Sequence, residues 1–540
     1  MVKKIDFNSY STILFFALIV RLVAAIFSEG YGMHDDHFLI IEASSSWVDG
    51  FDYNNWLPWS SGNAGHPEGH SFTYVGLNYL FFVIFKFFGV TDPKTLMLFN
   101  RLIHGLFSLL IVHFGYKIAQ KTVSQKSAVT VGWILALLWA LPFLSVRNLV
   151  EVSCIPFILW GVYKIVAAQK NTDFLWAGIL LGMAVSYRYQ VGVAAIGIAA
   201  YFYFRNEWKH FLLYCLGVVI TFSITQGLVD YLIWGYPFAE LSGYVIYNMN
   251  EGQEYMPNTN YFMYFYVLFG LFLIPLGILL AIGFFTNPKK QWAVIVPSVI
   301  MLLFHIWWPS LQLYWVLCVV AFFVIYGGLG KLRQLNSDWL LYLPAIFFIL
   351  FHTFYPNRQE RFVLSVFPLV LILGIKGIEL LRKNASWEKT WKISIRMFWV
   401  LNIPLVILLS LMSSKLSRVD AMYSLNEYKT TQGKKVLLEA TGDASITMLP
   451  KYYANDWTLF FINRENTDEP LYPEGTTVDF IFFFGEQDLT GRINQYREVY
   501  PGMKLVKKCQ PSLIDKILFK LNPNNKNQYI EVWKTNERAI

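Results

Sequence analysis

Residues Met33-His34-Asp35-Asp36-His37-Phe38 set two carboxylates between two imidazoles just after the first apolar stretch of the chain, and Glu42 follows shortly after. A positioned aspartate can take the proton of an attacking hydroxyl, and partial desolvation raises a carboxyl toward the pH at which it works as a general base. Because Asp35 and Asp36 are adjacent, one can face a cleft while the other caps or pairs. An N-cap for a helix through Phe38, Ile40, Ile41 and Trp47 is the plain alternative for either of them. His34 and His37 add imidazole to hard oxygen ligands, the ingredients of a metal site, although neighbouring positions rarely face one way. A solvated acidic loop is the remaining reading, and the cost of ionisable groups beside a bilayer counts against it.

The bilayer follows from the rest of the chain. Of 540 residues, 55% are hydrophobic, 18% aromatic and 15% charged, with mean hydropathy +0.42. Many apolar runs approach the ~20 residues needed to cross a membrane, so the fold class is a polytopic α-helical membrane protein. The net charge of +8 lies in short basic clusters between apolar runs rather than on one soluble face, which excludes nucleic acid as the partner. The run from Ser11 to Phe27 ends without a small-residue cleavage site and reads as a retained span. Cys154, Cys215 and Cys318 fall inside apolar runs and Cys509 stands alone, with neither ligand spacing nor a disulfide framework.

If every apolar run crosses, lysines and arginines alternate sides, against the positive-inside rule. Laying Phe72 to Val90 along the interface restores the rule, and that run opens with His70, Ser71 and Thr73 and contains Asn78 and Lys86. The resulting topology has about thirteen transmembrane helices with the amino terminus inside. It has a large first external loop, residues 29–95, with interfacial helices. Residues 1–413 form the membrane domain, and residues 414–540 form a small external soluble α/β domain. Strand-like runs alternate there with polar turns: Lys435 to Ala440, Leu459 to Ile462, Val478 to Phe484, Met503 to Val506 and Tyr529 to Trp533.

That topology, drawn from loop lysines and arginines, sends the unusual polar residues to one outer face. They are Asp35, Asp36 and Glu42; His66, Glu68 and His70; Arg101; Arg147, Asn148 and Glu151; Arg188; Asp230; Tyr247 and Asn248; and His352, Arg358, Glu360 and Arg361. A guanidinium binds phosphate through a planar fork, so arginines at outward span ends, where the charge rule disfavours them, suit a lipid-linked sugar phosphate. Each could instead snorkel to headgroups, and Glu360 could pair with a neighbouring arginine. His66-Pro67-Glu68 reads more readily as loop than site. Trp47, Tyr53, Trp56, Trp59 and Tyr74 suit sugar stacking but equally an interfacial belt. No phosphate-binding glycine loop, dinucleotide fingerprint or nucleophile elbow is present, so ATP-driven transport and covalent hydrolysis lose support.

Met33-His34-Asp35-Asp36-His37-Phe38 with the trailing Glu42 resembles the His-Pro-Asp-Glu-His-Phe pattern in the first external loop of glycosyltransferase family 22, with Met33, Asp36 and Leu39 as departures. Further similarities follow in the family's order: Arg147-Asn148; Tyr187-Arg188; Asp230 with Gly235 and Tyr247-Asn248; and His352 with Arg358-Gln359-Glu360-Arg361-Phe362 and Pro368. They run from residue 33 to 368 and leave the tail uncovered. The family contains the mannosyltransferases of N-glycan and GPI-anchor assembly and has the GT-C membrane fold. The resemblance implies an inverting glycosyltransferase that moves a hexose, mannose first, from a polyprenyl-phosphate donor to a lipid-linked or cell-surface glycan at the external face. It implies Asp35 as general base supported by Asp36, and Arg188, Arg358 and Arg361 as ligands of the donor phosphate. His37, Glu42, Arg147, Asp230, Tyr247, Asn248, His352 and Glu360 are then the substrate-binding candidates. It also implies no cofactor beyond the lipid-linked donor and no bound metal. The setting would be a bacterial inner membrane with a periplasmic site or the endoplasmic reticulum with a lumenal one. A non-enzymatic lipid-glycan flippase is the alternative, but a transporter should line a path between both faces with charge.

Overall fold

The computed structural model describes residues 6–32, 34–53, 67, 69–250, 260–286, 335–355, 357–428, 434–440, 449–454, 457–463, 477–521 and 528–535. The runs expected to span at 291–307 and 312–329 lie outside these residues, as do Trp56, Trp59, His66, Glu68 and the side chains of His34 and Asp35. The chain forms two compact units. One comprises Met1–Leu22, Gly65–Tyr74 and Leu102–Ser410, the other Val23–Ala64, Val75–Arg101 and Leu411–Ile540.

Among the described residues, five helices are long and apolar enough to cross a membrane: Tyr10–Phe27, Pro93–Thr122, Trp208–Trp234, Glu360–Leu381 and Ala385–Ser410. Phe72–Phe87, Val191–Arg205, Leu276–Thr286 and Trp339–Phe354 are shorter apolar helices. The run expected along the interface forms the 16-residue helix Phe72–Phe87. Its rise of about 24 Å is short of the ~30 Å hydrocarbon core.

In the first unit, lipid offers no hydrophobic drive between helices, so close backbone approach at small residues takes over. Helices Asn171–Tyr187 and Trp208–Phe222 meet this way. A Cβ on Gly178 would lie 2.1 Å from the Tyr214 carbonyl oxygen, and one on Gly217 2.3 Å from that of Leu175. Arg21, buried in the first span, caps the carbonyl end of helix Gln125–Leu137. It donates to Leu135 O at 3.2 Å and Ala136 O at 3.0 Å, and its Nε donates to Ser108 Oγ at 2.7 Å. A cation at the negative end of a helix dipole explains why a charge is tolerated there.

The second unit holds a five-stranded sheet of order β2-β1-β3-β5-β4. Its strands are β1 Lys434–Ala440, β2 Trp457–Asn463, β3 Phe480–Phe484, β4 Lys504–Cys509 and β5 Ile530–Lys534. β1 pairs in parallel with β2 and β3, and β5 runs antiparallel to β3 and β4. β3, all apolar, is buried along its length, as a strand covered on both faces must be. Strand alternation divides the two cores. Leu437, Ile481, Phe483 and Trp533 pack with Ile493 and Tyr496 of helix Leu489–Val499. Val436, Leu438, Phe480, Phe482 and Val532 pack with Val419 and Met422 of helix Leu416–Ser424 and with Tyr31, Phe38, Ile41, Phe82 and Leu96. One face of the sheet is thus covered by side chains from the first hundred residues of the chain.

Candidate active site

The acidic motif lies in the second unit. Helix His34–His37 runs into the π-helical turn Phe38–Glu42 and then helix Ala43–Asp49, which closes at Gly50 with φ of 66°. Inserted π turns recur at functional sites. The widened ladder here is lined by Ser44, Ser45 and Ser46, whose hydroxyls donate to the carbonyls of Ile40, Ile41 and Glu42 at 2.5, 2.7 and 2.7 Å. Buried Asp36 accepts the Gly32 N–H through Oδ2 at 3.2 Å and so ties the entry of the motif to its helix. Glu42 is fully buried. Its Oε1 accepts the Tyr452 N–H at 3.0 Å and lies 3.5 Å from His37 Nε2, longer than an ordinary hydrogen bond. The His37 ring stacks on Tyr31, centroids 4.9 Å apart, and on Tyr453 at 5.7 Å.

Arg147, Arg188, Arg358 and Arg361 lie in the first unit. Arg188 follows the last residue of helix Asn171–Tyr187, and Arg361 stands in the 3₁₀ turn Glu360–Val366. Arg188 Nη1 donates to Phe362 O at 2.7 Å and to Ser365 Oγ at 2.8 Å, while the Ser365 hydroxyl donates to Glu151 O at 3.0 Å. Glu151 Oε1 lies 3.6 Å from both Arg188 Nη2 and Arg361 Nε, so a single carboxylate is shared by two guanidinium groups. Arg188 Nη2 is buried and has no hydrogen-bond partner among the described residues. An unsatisfied buried N–H of a charged group costs about 1–3 kcal/mol or more, and a phosphate oxygen is the acceptor that suits it.

His352 lies in the wall of the same cluster, its ring 4.3 Å from that of Phe348, which is itself 5.6 Å from the Arg188 guanidinium. His352 Nδ1 is 2.8 Å from the Phe348 carbonyl. That contact requires the proton on Nδ1, which leaves Nε2 a buried lone pair without a partner among the described residues. Arg358 donates from Nε to Thr353 O at 2.9 Å and stacks 4.4 Å over Tyr261. Arg147 stacks 4.1 Å over Phe143.

The other expected site residues are placed by helix-end geometry. Asp230 accepts from Gln226 Nε2 at 2.6 Å and from the Glu240 N–H at 3.0 Å, at the start of helix Ala239–Asn250. Asn248 accepts the Tyr355 hydroxyl at 2.8 Å and donates to Tyr244 O at 2.7 Å, while Tyr247 and Glu360 are exposed. Glu151, Ser365 and Glu240 have no assigned role in the sequence. For Glu151 the usable signal is a carboxylate inside an apolar run, which needs a cationic partner. Among the described residues, no three His, Cys, Asp or Glu side chains are grouped to hold a metal ion.

Among curated proteins no sequence match is found. Among solved structures, the chain is similar to ArnT from Cupriavidus metallidurans bound to undecaprenyl phosphate, at 10% identity and TM-score 0.53 over 97% of each chain. It is also similar to apo ArnT from that organism, at 12% identity and TM-score 0.57 over 97% of each chain. At such identities the likeness describes the fold, which is that of the GT-C glycosyltransferases. The sequence profile of the Alg9-like mannosyltransferase family matches residues 12–454, a stretch that carries Asp35, Arg188, His352 and Arg361. The chain accordingly belongs to the Alg9-like mannosyltransferase family and is an integral-membrane glycosyltransferase.

Proposed function

We propose that the protein transfers a hexose, mannose first, with inversion from a polyprenyl-phosphate carrier to a lipid-linked or cell-surface glycan at the external membrane face. The observation that carries this reading is the pairing of buried Arg188 and half-buried Arg361 around the single carboxylate of Glu151. Undecaprenyl phosphate, the ligand of the ArnT structure, has the anionic group such a pair suits. In a single displacement, Asp35 takes the proton of the acceptor hydroxyl, whose oxygen attacks the anomeric carbon as the bond to the phosphate oxygen breaks. The departing polyprenyl phosphate gains a negative charge in that step. Guanidinium groups fixed in a desolvated place favour it most as the charge develops.

The test is to incubate the purified protein with labelled polyprenyl-phosphate sugars and follow transfer of the label. Wild type is expected to transfer from one of them, with mannose the first candidate. Asp35→Asn should abolish transfer while the protein still inserts and folds, and full activity in that variant sinks the assignment of the base. Arg361→Ala should raise KM for the donor more than for the acceptor; an unchanged donor response counts against phosphate binding there.

A further inference from the structure

We propose that the tail positions the acidic motif, with Tyr453 as its positioning residue; this rests on the proposed role of Asp35. The tail grips both flanks of the motif. Upstream, Gly30 and Ser414 form a parallel β-bridge, and the Ser414 N–H donates to Glu29 O at 3.0 Å. The approach is so close that a Cβ on Gly30, whose φ is +83°, would stand 1.7 Å from the Ser414 oxygen. Lys415 Nζ then donates to Gly32 O at 3.3 Å and sits 4.6 Å over the Tyr31 ring. Downstream, the turn Lys451–Tyr453 supplies the Tyr452 N–H that Glu42 accepts and the Tyr453 ring that lies 7° from parallel with His37. Tyr452 anchors that turn by stacking on Phe82, at 5.7 Å and 22°.

Between these two grips lie only residues 33–36, and His37 is held flat between Tyr31 and Tyr453. His34–His37 is the first turn of the helical run that continues through Phe38–Glu42 and Ala43–Asp49, and a terminal turn frays unless its flanks and side chains are packed. Holding His37 between Tyr31 and Tyr453 therefore holds the backbone of the turn on which residue 35 lies. The contacts of Arg188 and Arg361 given above are made with residues of their own unit, so the effect of the tail is expected on the motif rather than on donor binding.

The experiment uses the full-length protein. Tyr453→Ala is expected to lower kcat for sugar transfer at least about tenfold, with KM for the polyprenyl-phosphate donor changed less than about twofold. Tyr453→Phe keeps the stacking face and should restore the rate. Amide hydrogen exchange across residues 34–42 should quicken in Tyr453→Ala and not in Tyr453→Phe. Wild-type kcat in a Tyr453→Ala protein with unchanged thermal unfolding overturns the proposal, and so does an equal loss in Tyr453→Phe. If wild type moves no sugar from any donor, it is the functional reading that fails. Exchange across residues 34–42 then still decides the positioning role, which unchanged protection would refute. If Tyr453→Ala does not accumulate folded, Tyr453→Leu, which fills much of the space without an aromatic face, takes its place in each comparison.

Discussion

Glu240 accepts the Gly69 and His70 N–H groups through Oε2 at 2.7 and 2.9 Å and the Trp234 indole N–H through Oε1 at 2.9 Å. Burial pushes its carboxyl from 4.5 up to about 7. Neighbouring Asp230 adds to the rise, and the hydrogen bonds from His70, Gly69 and Trp234 oppose it. A folded value above the unfolded one means that the neutral form contributes stability in full below pH 4.5. That contribution is lost as pH rises through about 7. Thermal unfolding in detergent should therefore show wild type losing stability from pH 4.5 to 7 more steeply than Glu240→Gln. Parallel slopes would rule Glu240 out as their source. The variant's amide still accepts from Gly69 and His70, but its NH₂ faces the Trp234 donor, which costs about 1–3 kcal/mol at all pH values. At this scale the candidate arginines stand out in the sequence because charge at the ends of apolar runs demands a reason. That Arg188 and Arg361 share Glu151 was not, since the residues are far apart in sequence and meet only when helices pack.

Helices Asn171–Tyr187 and Trp208–Phe222 have only a shallow apolar signal to orient them, because residues facing lipid and residues facing protein are equally hydrophobic. What orients them is size: Gly178 and Gly182 lie one turn apart on the first helix, and Gly217 faces Gly178 from the second. Gly178→Leu should separate the pair at a cost of about 1–3 kcal/mol or more, read as a fall in thermal unfolding temperature. Gly192→Ala, where the nearest atom is Val185 Cγ1 at 3.9 Å, should be neutral or slightly stabilising. Equal melting of the two variants would refute the close-packing account. The strands tell the opposite story. Each strand-like run of the tail overlaps a strand, because a short apolar run bounded by polar turns is a local property of the sequence.

At the scale of the molecule, the charge rule makes a claim that can be checked without activity. Exposed Glu498 belongs to the tail, expected outside, and exposed Lys121 to a loop expected inside. In sealed right-side-out vesicles, a membrane-impermeant maleimide should label Glu498→Cys directly and Lys121→Cys only after permeabilisation. The reverse pattern would invert the topology and move the proposed chemistry to the other face. The division of the molecule is less visible in the sequence. Composition changes near Ser413 and suggests a tail that folds alone, whereas the second unit joins Leu411–Ile540 with Val23–Ala64 and Val75–Arg101. One face of the sheet shares its core with Tyr31, Phe38, Ile41 and Phe82 as well as with the tail's own helix Leu416–Ser424, and no pattern in the tail's sequence names those early residues as partners.

The sequence by itself determined the membrane class and the family pattern, and it singled out the acidic motif and the arginines as candidates. Hydropathy, charge and motif spacing are properties of neighbouring residues, and they survive without a fold. Only the tertiary structure decided that Glu151 divides its charge between Arg188 and Arg361, that Asp230 accepts the Glu240 N–H at the start of helix Ala239–Asn250, and that Glu42 and His37 face Tyr452 and Tyr453. Those contacts join positions tens to hundreds of residues apart or depend on where a helix begins. Packing geometry settles them, and residue type alone does not.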